Sequence, residues 1–159
     1  MTAKPKSKSV LLRKADIEAM EETRFVHPLN PGAIRHTRSL GDASGLSSLG
    51  VHLVRVTPGD DTTEYHFHHH DEEWIYILSG RATARIAGEE REVGPGDFMG
   101  FVAGSVPHGM RNTGTEDLVY LVGGNRLPFD VCDYPDLKKR RYRTDGGSYF
   151  VTWEQIEKP

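Results

Sequence analysis

The chain of 159 residues has a single cysteine, no long apolar run and no strong excess of charge. Because Cys132 has no second cysteine to pair with, an internal disulfide is excluded and a reducing compartment is favoured. No apolar run approaches the roughly 20 residues that a membrane-spanning helix needs. The net charge of −3 gives no basic excess that would favour nucleic acid or an anionic membrane. We therefore expect a cytoplasmic protein whose partners include neither nucleic acid nor a membrane.

What is present fits one globular domain, with 36% apolar and 27% charged residues. Residues 1–9 are polar and basic around Pro5, which predicts a solvated arm without fixed structure. Asp16 precedes the segment Ile17-Glu18-Ala19-Met20-Glu21, a pattern typical of a short helix with Asp16 as its N-cap.

From about Ile34 the sequence changes to short β-type runs separated by turn residues such as Pro58-Gly59, Ser79-Gly80 and Gly94-Pro95-Gly96-Asp97. Many short strands at a spacing of about 8–12 residues favour an antiparallel sandwich or barrel over an α/β sheet. We therefore expect an all-β domain with short extensions at both ends. The predicted strands are Ile34–Ser39, Val51–Thr57, Trp74–Leu78, Ala82–Ile86, Phe98–Val102 and Leu118–Val122.

The segment with the densest histidines and acids runs from His66 to Glu73 and has the sequence His-Phe-His-His-His-Asp-Glu-Glu. Imidazole and carboxylate groups are ligands of divalent metals. In a strand, His66 and His68 point to the same side about 6–7 Å apart, so their rings can converge on one ion. We expect His69 and His70 in the following turn, facing solvent. A metal site is therefore indicated.

Alternation places Glu73, Ile75 and Ile77 on one face of the next strand and puts apolar residues on the other face too. This pattern predicts a strand that is buried on both sides. A carboxylate at the head of such a strand needs a partner, and a cation would serve.

Two ordered motifs in this region resemble those of the cupin superfamily. The first consists of a glycine, His-x-His, a glutamate and a glycine; the second consists of a glycine, a Pro-x-Gly core, a histidine and an asparagine. In this chain they correspond to Gly59, His66, His68, Glu73 and Gly80, and to Gly96, Ala103-Gly104, His108 and Asn112. Flanking segments resemble a subgroup of small single-domain bacterial cupins of unassigned role, namely Arg38-Ser39-Leu40-Gly41-Asp42, Gly45-Leu46 and Asp133-Tyr134-Pro135-Asp136.

The resemblance implies a double-stranded β-helix, the jelly-roll cupin barrel. It divides the chain into an N-terminal arm with a possible short helix (1–34), the barrel (35–126) and a C-terminal extension packing on the barrel (127–159). It also implies that a divalent metal lies inside the barrel, held by His66, His68, Glu73 and His108. Glu72 remains an alternative to Glu73, which we prefer because it keeps six residues before Gly80.

Such a ligand set suits Fe, Mn, Ni, Co or Zn and leaves positions for water or a substrate. Similar cupins include dioxygenases, isomerases, decarboxylases and lyases, and also proteins that only bind a ligand. We expect an enzyme acting on a small oxygen-rich metabolite, a sugar or a hydroxy or keto acid, with a non-catalytic binding or sensing cupin as the alternative. No catalytic residue is assigned, since the resemblance cannot choose a reaction.

Further residues are candidates for the lining of the pocket. Met110 shares a strand face with His108, and arginines and tyrosines could contact a substrate. These candidates are Met99, Phe101, Tyr65, Tyr76, Tyr120, Arg55, Arg85, Arg111 and His52. Gly123-Gly124-Asn125 is interpreted as a turn, and the run Lys138-Lys139-Arg140-Arg141 as a solvated surface. Exposed sheet edges and apolar outer faces lead us to expect a homodimer, which sedimentation at micromolar concentration would test.

Overall fold

The computed structural model of the protein describes residues 8–157 and 159. Most of the predicted basic arm, residues 1–9, lies outside the described residues. The first element is helix α1, Lys14–Glu18, and its N-cap is Arg13. Asp16 was expected as the N-cap but lies inside the helix, where its carboxylate accepts a hydrogen bond of 2.8 Å from the backbone N–H of Arg13.

Strands dominate the described part of the chain, joined by short helices and turns. A second helix, α2, spans Leu40–Ser44, and single 3-10 turns lie at Pro135–Leu137 and Trp153–Gln155. None of the helices among the described residues is long and apolar enough to cross a membrane. The strands are β1 Thr23–His27, β2 Asn30–Ser39, β3 Leu49–Val56, β4 Phe67–His68, β5 Glu73–Ser79, β6 Ala82–Ile86, β7 Glu89–Val93, β8 Phe98–Phe101, β9 His108–Arg111, β10 Leu118–Asn125, β11 Asp130–Tyr134, β12 Lys139–Thr144 and β13 Gly147–Thr152.

The strands form three sheets whose pairings are all antiparallel. A six-stranded sheet has the order β1-β2-β3-β10-β5-β8, a four-stranded sheet the order β13-β12-β11-β4, and a three-stranded sheet the order β7-β6-β9. Non-sequential neighbours such as β3-β10-β5 indicate Greek-key connections. The smaller sheets are joined by an isolated bridge between His66 and His108, so together they form the wall opposite the large sheet. The predicted all-β jelly-roll architecture is confirmed.

The core lies between these walls and follows strand alternation. In β10, Leu118, Tyr120 and Val122 are buried, while the two residues between them are only half-buried. They pack with Val54 and Ile77 into one apolar cluster that also holds side chains from the smaller sheets. Burial of apolar area on this scale is the main stabilising contribution to the fold.

The outer face of β5 is exposed, contrary to the prediction of a strand buried on both sides. Tyr76 and Leu78 are exposed, and the neighbouring Phe98 on β8 is 64% exposed. In a parallel sheet, helices cover both faces. In an antiparallel sandwich such as this one, the outer face of each sheet can remain open to solvent. The expected homodimer remains a prediction.

Gly123 and Gly124 lie within β10 rather than in the turn expected at Gly123-Gly124-Asn125. A Cβ on Gly123 would lie 2.5 Å from the Trp74 ring, and one on Gly124 would lie 2.2 Å from the carbonyl oxygen of Glu72. The glycines therefore serve close packing against the start of β5, and this contact positions Glu73.

Candidate functional site

The backbones of His66 and His108 form a hydrogen-bonded antiparallel pair. The N–H of His108 donates to the carbonyl of His66 over 2.8 Å, and the N–H of His66 donates to the carbonyl of His108 over 3.1 Å. Directly opposed residues of an antiparallel pair project to the same face. As a result the two imidazole rings lie beside each other, with centroids 4.8 Å apart.

Glu73 reaches the same point from the opposite wall, because it begins β5 in the large sheet. Its Oε2 lies 2.9 Å from Nε2 of His108 and 3.8 Å from Nε2 of His66. Phe101, the cross-strand partner of Glu73 on β8, stacks on the His108 ring with centroids 3.5 Å apart. This packing holds the ring with its Nε2 edge toward the carboxylate.

The Nδ1 atoms of His66 and His108 face backbone carbonyls, and this arrangement determines which ring nitrogen can bind a metal. Nδ1 of His66 lies 2.8 Å from the carbonyl of Glu64, and Nδ1 of His108 lies 3.4 Å from the carbonyl of Val106. A carbonyl only accepts, so each Nδ1 carries a proton, and each Nε2 is the ring atom that can bind a metal in place of a second proton. Metal-binding histidines are commonly oriented by such hydrogen bonds.

His68 belongs to the same cluster and is oriented by a carboxylate. Its Nε2 lies 3.2 Å from Nε2 of His66, and its Nδ1 donates to Oδ2 of Asp130 over 2.6 Å. Asp130 is fully buried at the start of β11 and also accepts the backbone N–H groups of His70 and Asp71. Asp130 therefore fixes both the ring of His68 and the segment that follows it.

The structure brings together the four residues expected as ligands, although not all equally closely. Donor atoms of His66, Glu73 and His108 lie within 4.8 Å of one another, and His68 joins His66 in a second such group with Cys132. Glu72, the alternative to Glu73, is exposed and lines a neighbouring cavity.

The histidines of the turn lie outside the cluster. His70 is exposed, as expected. His69, expected to face solvent, is half-buried instead, and its Nε2 lies 2.8 Å from Oδ2 of Asp133. Asp133 can therefore hold this ring away from the cluster.

The cluster is electrostatically coupled. Burial, opposed by the charge of Glu73 and aided by the charges of neighbouring histidines, lowers the pKa of His66 to about 3, so this imidazole is neutral near pH 7. Burial acts to raise the pKa of Glu73, but the hydrogen bond with His108 and the nearby histidines outweigh it and hold that pKa at about 2. Neutral imidazoles and an ionised carboxylate are the protonation states that bind a metal.

The cluster opens into a cavity of about 340 Å³, which we call the histidine cavity. This volume suits a small metabolite. The lining is polar as well as aromatic, and it includes Arg35, Arg141 and His27 besides the cluster. The remaining lining residues are Phe25, Pro28, Thr62, Thr63, Gly109, Tyr120, Val122, Tyr134, Ser148 and Phe150.

Most of the other pocket candidates lie elsewhere. Arg55 pairs with Glu22 and Asp117, and Arg85 pairs with Asp136, so these arginines are engaged away from the cavity. Arg111 and Tyr76 are exposed, and Tyr65 stacks with Arg85. Met99, Phe101 and Met110 are core residues, and His52 lines the neighbouring cavity. Of this set Tyr120 alone, among the described residues, lines the histidine cavity.

Sequence reasoning missed Asp130, Arg35, Arg141 and His27. Arg141 was interpreted as part of a solvated basic run, yet it is half-buried and lines the cavity. Strand alternation could have indicated this role. In β12 the side chain of Arg141 points to one face, and those of its neighbours Arg140 and Tyr142 point to the other. Which of the two faces meets the cavity is known only once the partner strands of β12 are known.

Comparison with known proteins identifies the family to which the chain belongs. The Cupin domain family matches residues 52–124. A structure from Acidithiobacillus ferrooxidans, provisionally assigned as a sugar phosphate isomerase, is 44% identical with a TM-score of 0.93, over 95% of this chain and 97% of that one. The chain therefore belongs to the cupin superfamily.

Two further structures support the fold. A sugar phosphate isomerase of the cupin superfamily from Silicibacter pomeroyi is 28% identical, with a TM-score of 0.81 over 94% of this chain and 96% of that one. A predicted oxalate decarboxylase from Thermotoga maritima is 21% identical, with a TM-score of 0.59 over 70% of this chain and 96% of that one, and is similar in fold alone. No curated protein matches the chain.

Proposed function

We propose that this protein is a metal-dependent enzyme that acts on a small oxygen-rich metabolite, and that it isomerises a phosphorylated sugar. The observation that carries the proposal is the convergence of Nε2 of His66 and His108 on the carboxylate of Glu73 in a cavity of metabolite size. The substrate class is supported by similarity to two structures assigned, one of them provisionally, as sugar phosphate isomerases.

The residues fit a divalent metal. Two ligand atoms about 2.1 Å from one ion and at right angles to each other lie about 3 Å apart. The separations of 2.9 Å between His108 and Glu73 and 3.2 Å between His66 and His68 agree with this value, and the 3.8 Å between His66 and Glu73 is shorter than the roughly 4.2 Å between ligands on opposite sides of an ion. His66, His68, Glu73 and His108 would hold the ion, and Fe, Mn, Ni, Co and Zn all suit nitrogen and oxygen ligands.

A bound divalent metal would polarise a substrate carbonyl and an adjacent hydroxyl, which acidifies the C–H bond of the carbon that carries the hydroxyl. The protein contributes binding and orientation. Carbonyls behind His66 and His108 and the carboxylate of Asp130 behind His68 keep the rings aimed at one point. Tyr120, a buried phenol, faces the cavity. Because burial raises its pKa to about 12, it stays protonated and can donate a hydrogen bond to a substrate oxygen.

The proposal is tested by measuring metal content and turnover together. Tag-free wild-type protein, purified without metal columns, should contain about one transition-metal ion per chain and interconvert an aldose phosphate and its ketose. His66→Ala and His108→Ala should each remove most of the metal and lower turnover at least about 100-fold, because each deletes a ligand. His70→Ala, an exposed histidine of the same segment, is the matched control and should change neither. No metal in the wild type, even after addition, would refute the proposal.

The alternative is a cupin that binds a metabolite without converting it. One observation favours it: Glu73 is the one carboxylate among the described residues that line the histidine cavity, and it already contacts His108. A general base free of the cluster is therefore not evident. Metal-dependent binding of sugar phosphates without turnover of any of them would select this alternative.

A further inference from the structure

Arg35 and Arg141 differ from the other arginines of the described chain. Seven arginines form ion pairs with carboxylates, namely Arg38, Arg55, Arg85, Arg91, Arg126, Arg140 and Arg143. Four others are exposed, namely Arg13, Arg24, Arg81 and Arg111. Within residues 8–157 and 159, Arg35 and Arg141 are the half-buried arginines that lack a carboxylate partner, and both line the histidine cavity.

Strand pairing directs both side chains to the interior. On β2, Arg35 shares its face with Thr37, whose cross-strand partner is the core residue Val54. On β12, Arg141 is paired with Cys132, which is paired in turn with His68. Paired residues project to the same face, so Arg141 points to the side on which His68 enters the cluster.

This wall of the cavity carries positive charge and hydrogen-bond donors. Nε of Arg141 is buried and has no hydrogen-bond acceptor among the described residues, an arrangement that costs free energy unless a ligand supplies one. Nδ1 of His27 accepts the N–H of Leu29 over 3.2 Å, which leaves its Nε2–H as a donor. Burial, with the charges of Arg35 and Arg141, lowers the pKa of His27 to about 4, so it stays neutral near pH 7.

We propose that Arg35 and Arg141 form an anion subsite that binds the phosphate of a phosphomonoester whose other end reaches the histidine cluster. This inference rests on the proposed function and assigns the residues that recognise the substrate's charged end. Two guanidinium groups supply two positive charges and several N–H donors. A phosphomonoester, with a charge of about −1.5 to −2 and three terminal oxygens, matches them better than a carboxylate, which has one charge and two oxygens.

The test is calorimetric titration of metal-loaded protein with glycerol 3-phosphate, which has the phosphate but no carbonyl to isomerise. Arg35→Gln and Arg141→Gln should each weaken its binding about tenfold or more, since each removes charge-assisted hydrogen bonds. Arg81→Gln, an exposed arginine without a carboxylate partner, is the matched control and should leave the affinity unchanged. Metal content and melting temperature verify that each variant is loaded and folded, and Arg35→Lys and Arg141→Lys serve where a glutamine variant does not fold.

Each outcome decides a separate question. Equal affinity in wild type and both glutamine variants would place the phosphate on the metal alone and overturn the subsite, as would an equal loss in Arg81→Gln. Tighter binding of glycerate than of glycerol 3-phosphate would overturn its assignment to phosphate. Arginine-dependent binding without turnover of any sugar phosphate would refute the isomerase and leave the subsite standing.

Discussion

Two cavities meet at Glu73, and they differ in whether the arginines that line them are paired with carboxylates. The histidine cavity, about 340 Å³, contains Arg141, which lacks a carboxylate partner among the described residues. The neighbouring cavity, about 670 Å³, contains Arg126 and Arg143, whose guanidinium groups lie 2.6 Å from Asp42 and 2.7 Å from Asp71. Arg35 lines both cavities, at their junction.

This difference separates charges that support the fold from charges that are available to a ligand. An arginine paired with a carboxylate has its charge neutralised and its donors satisfied within the chain. An arginine left without a partner in a half-buried place is destabilising by itself, and ligand binding can offset this cost. The larger cavity is therefore the less favourable candidate for an anionic substrate.

Beyond the ligands themselves, the largest effect is expected at Asp130, whose carboxylate accepts the hydrogen bond of His68. Asp130→Asn should weaken metal binding about 10- to 100-fold, because the amide cannot match the charged hydrogen bond to His68. Asp133→Asn is the matched control, since Asp133 lies on the same strand and orients His69, which is not a proposed ligand. A metal titration followed by competition with a chelator measures both. Equal losses in the two variants would contradict the assignment.

A smaller effect, on stability alone, is expected at Arg143 in the larger cavity. Arg143→Ala leaves the buried carboxylate of Asp71 without its cation and should lower the free energy of unfolding by about 2–3 kcal/mol. Arg126→Ala breaks the more exposed pair with Asp42 and should cost less than about 1 kcal/mol. Denaturant unfolding measures these costs, and metal content should stay unchanged. Loss of metal in Arg143→Ala would show that the two cavities are functionally one.

The smallest effect concerns His27, between the arginines without partners. Its pKa of about 4 in the folded protein lies below the ordinary value of 6.5. As the pH falls below about 6.5, His27 binds a proton in the unfolded chain but not in the folded protein. The free energy of unfolding therefore decreases as the pH falls. Between pH 7 and pH 5 in phosphate-free buffer this should cost about 1–2 kcal/mol.

The control for this pH effect is His27→Gln, which cannot take up the proton. The variant should show a flatter dependence of unfolding free energy on pH, measured by denaturant titration at each pH. Identical pH profiles for wild type and variant would mean that His27 is not held neutral by burial and the charges of Arg35 and Arg141.

The sequence anticipated the fold better than the site's surroundings. All six predicted strands exist, and Ala82–Ile86 has the bounds of β6. The missed strands include β7, Glu89–Val93, and β12, Lys139–Thr144, whose dense charge is not typical of a strand. On β12, Arg140 and Arg143 pair with Asp133 and Asp71, and local sequence does not identify these partners.

The predicted ligands illustrate the same division. His66 and His68 are two residues apart, the spacing of neighbours on one strand face, so local sequence predicts that they lie close together. The contact of Glu73 with His108 joins residues 35 positions apart on opposite walls, and the interaction of Asp130 with His68 spans 62 positions. Only the first kind of proximity can be derived from periodicity. The motif resemblance supplied the pairing of Glu73 with His108, and the role of Asp130 was missed.

By itself, the sequence determined an all-β domain with a histidine-rich segment, because alternation and turn residues are local properties of the chain, and the spacing of its two motifs carried the resemblance to cupins. The tertiary structure decided which charges have partners. Arg140 and Arg141 are adjacent in sequence, yet one forms a double hydrogen bond with Asp133 and the other faces the histidine cavity. Successive residues of a strand point to opposite faces, and only the packed sheets determine what each face meets.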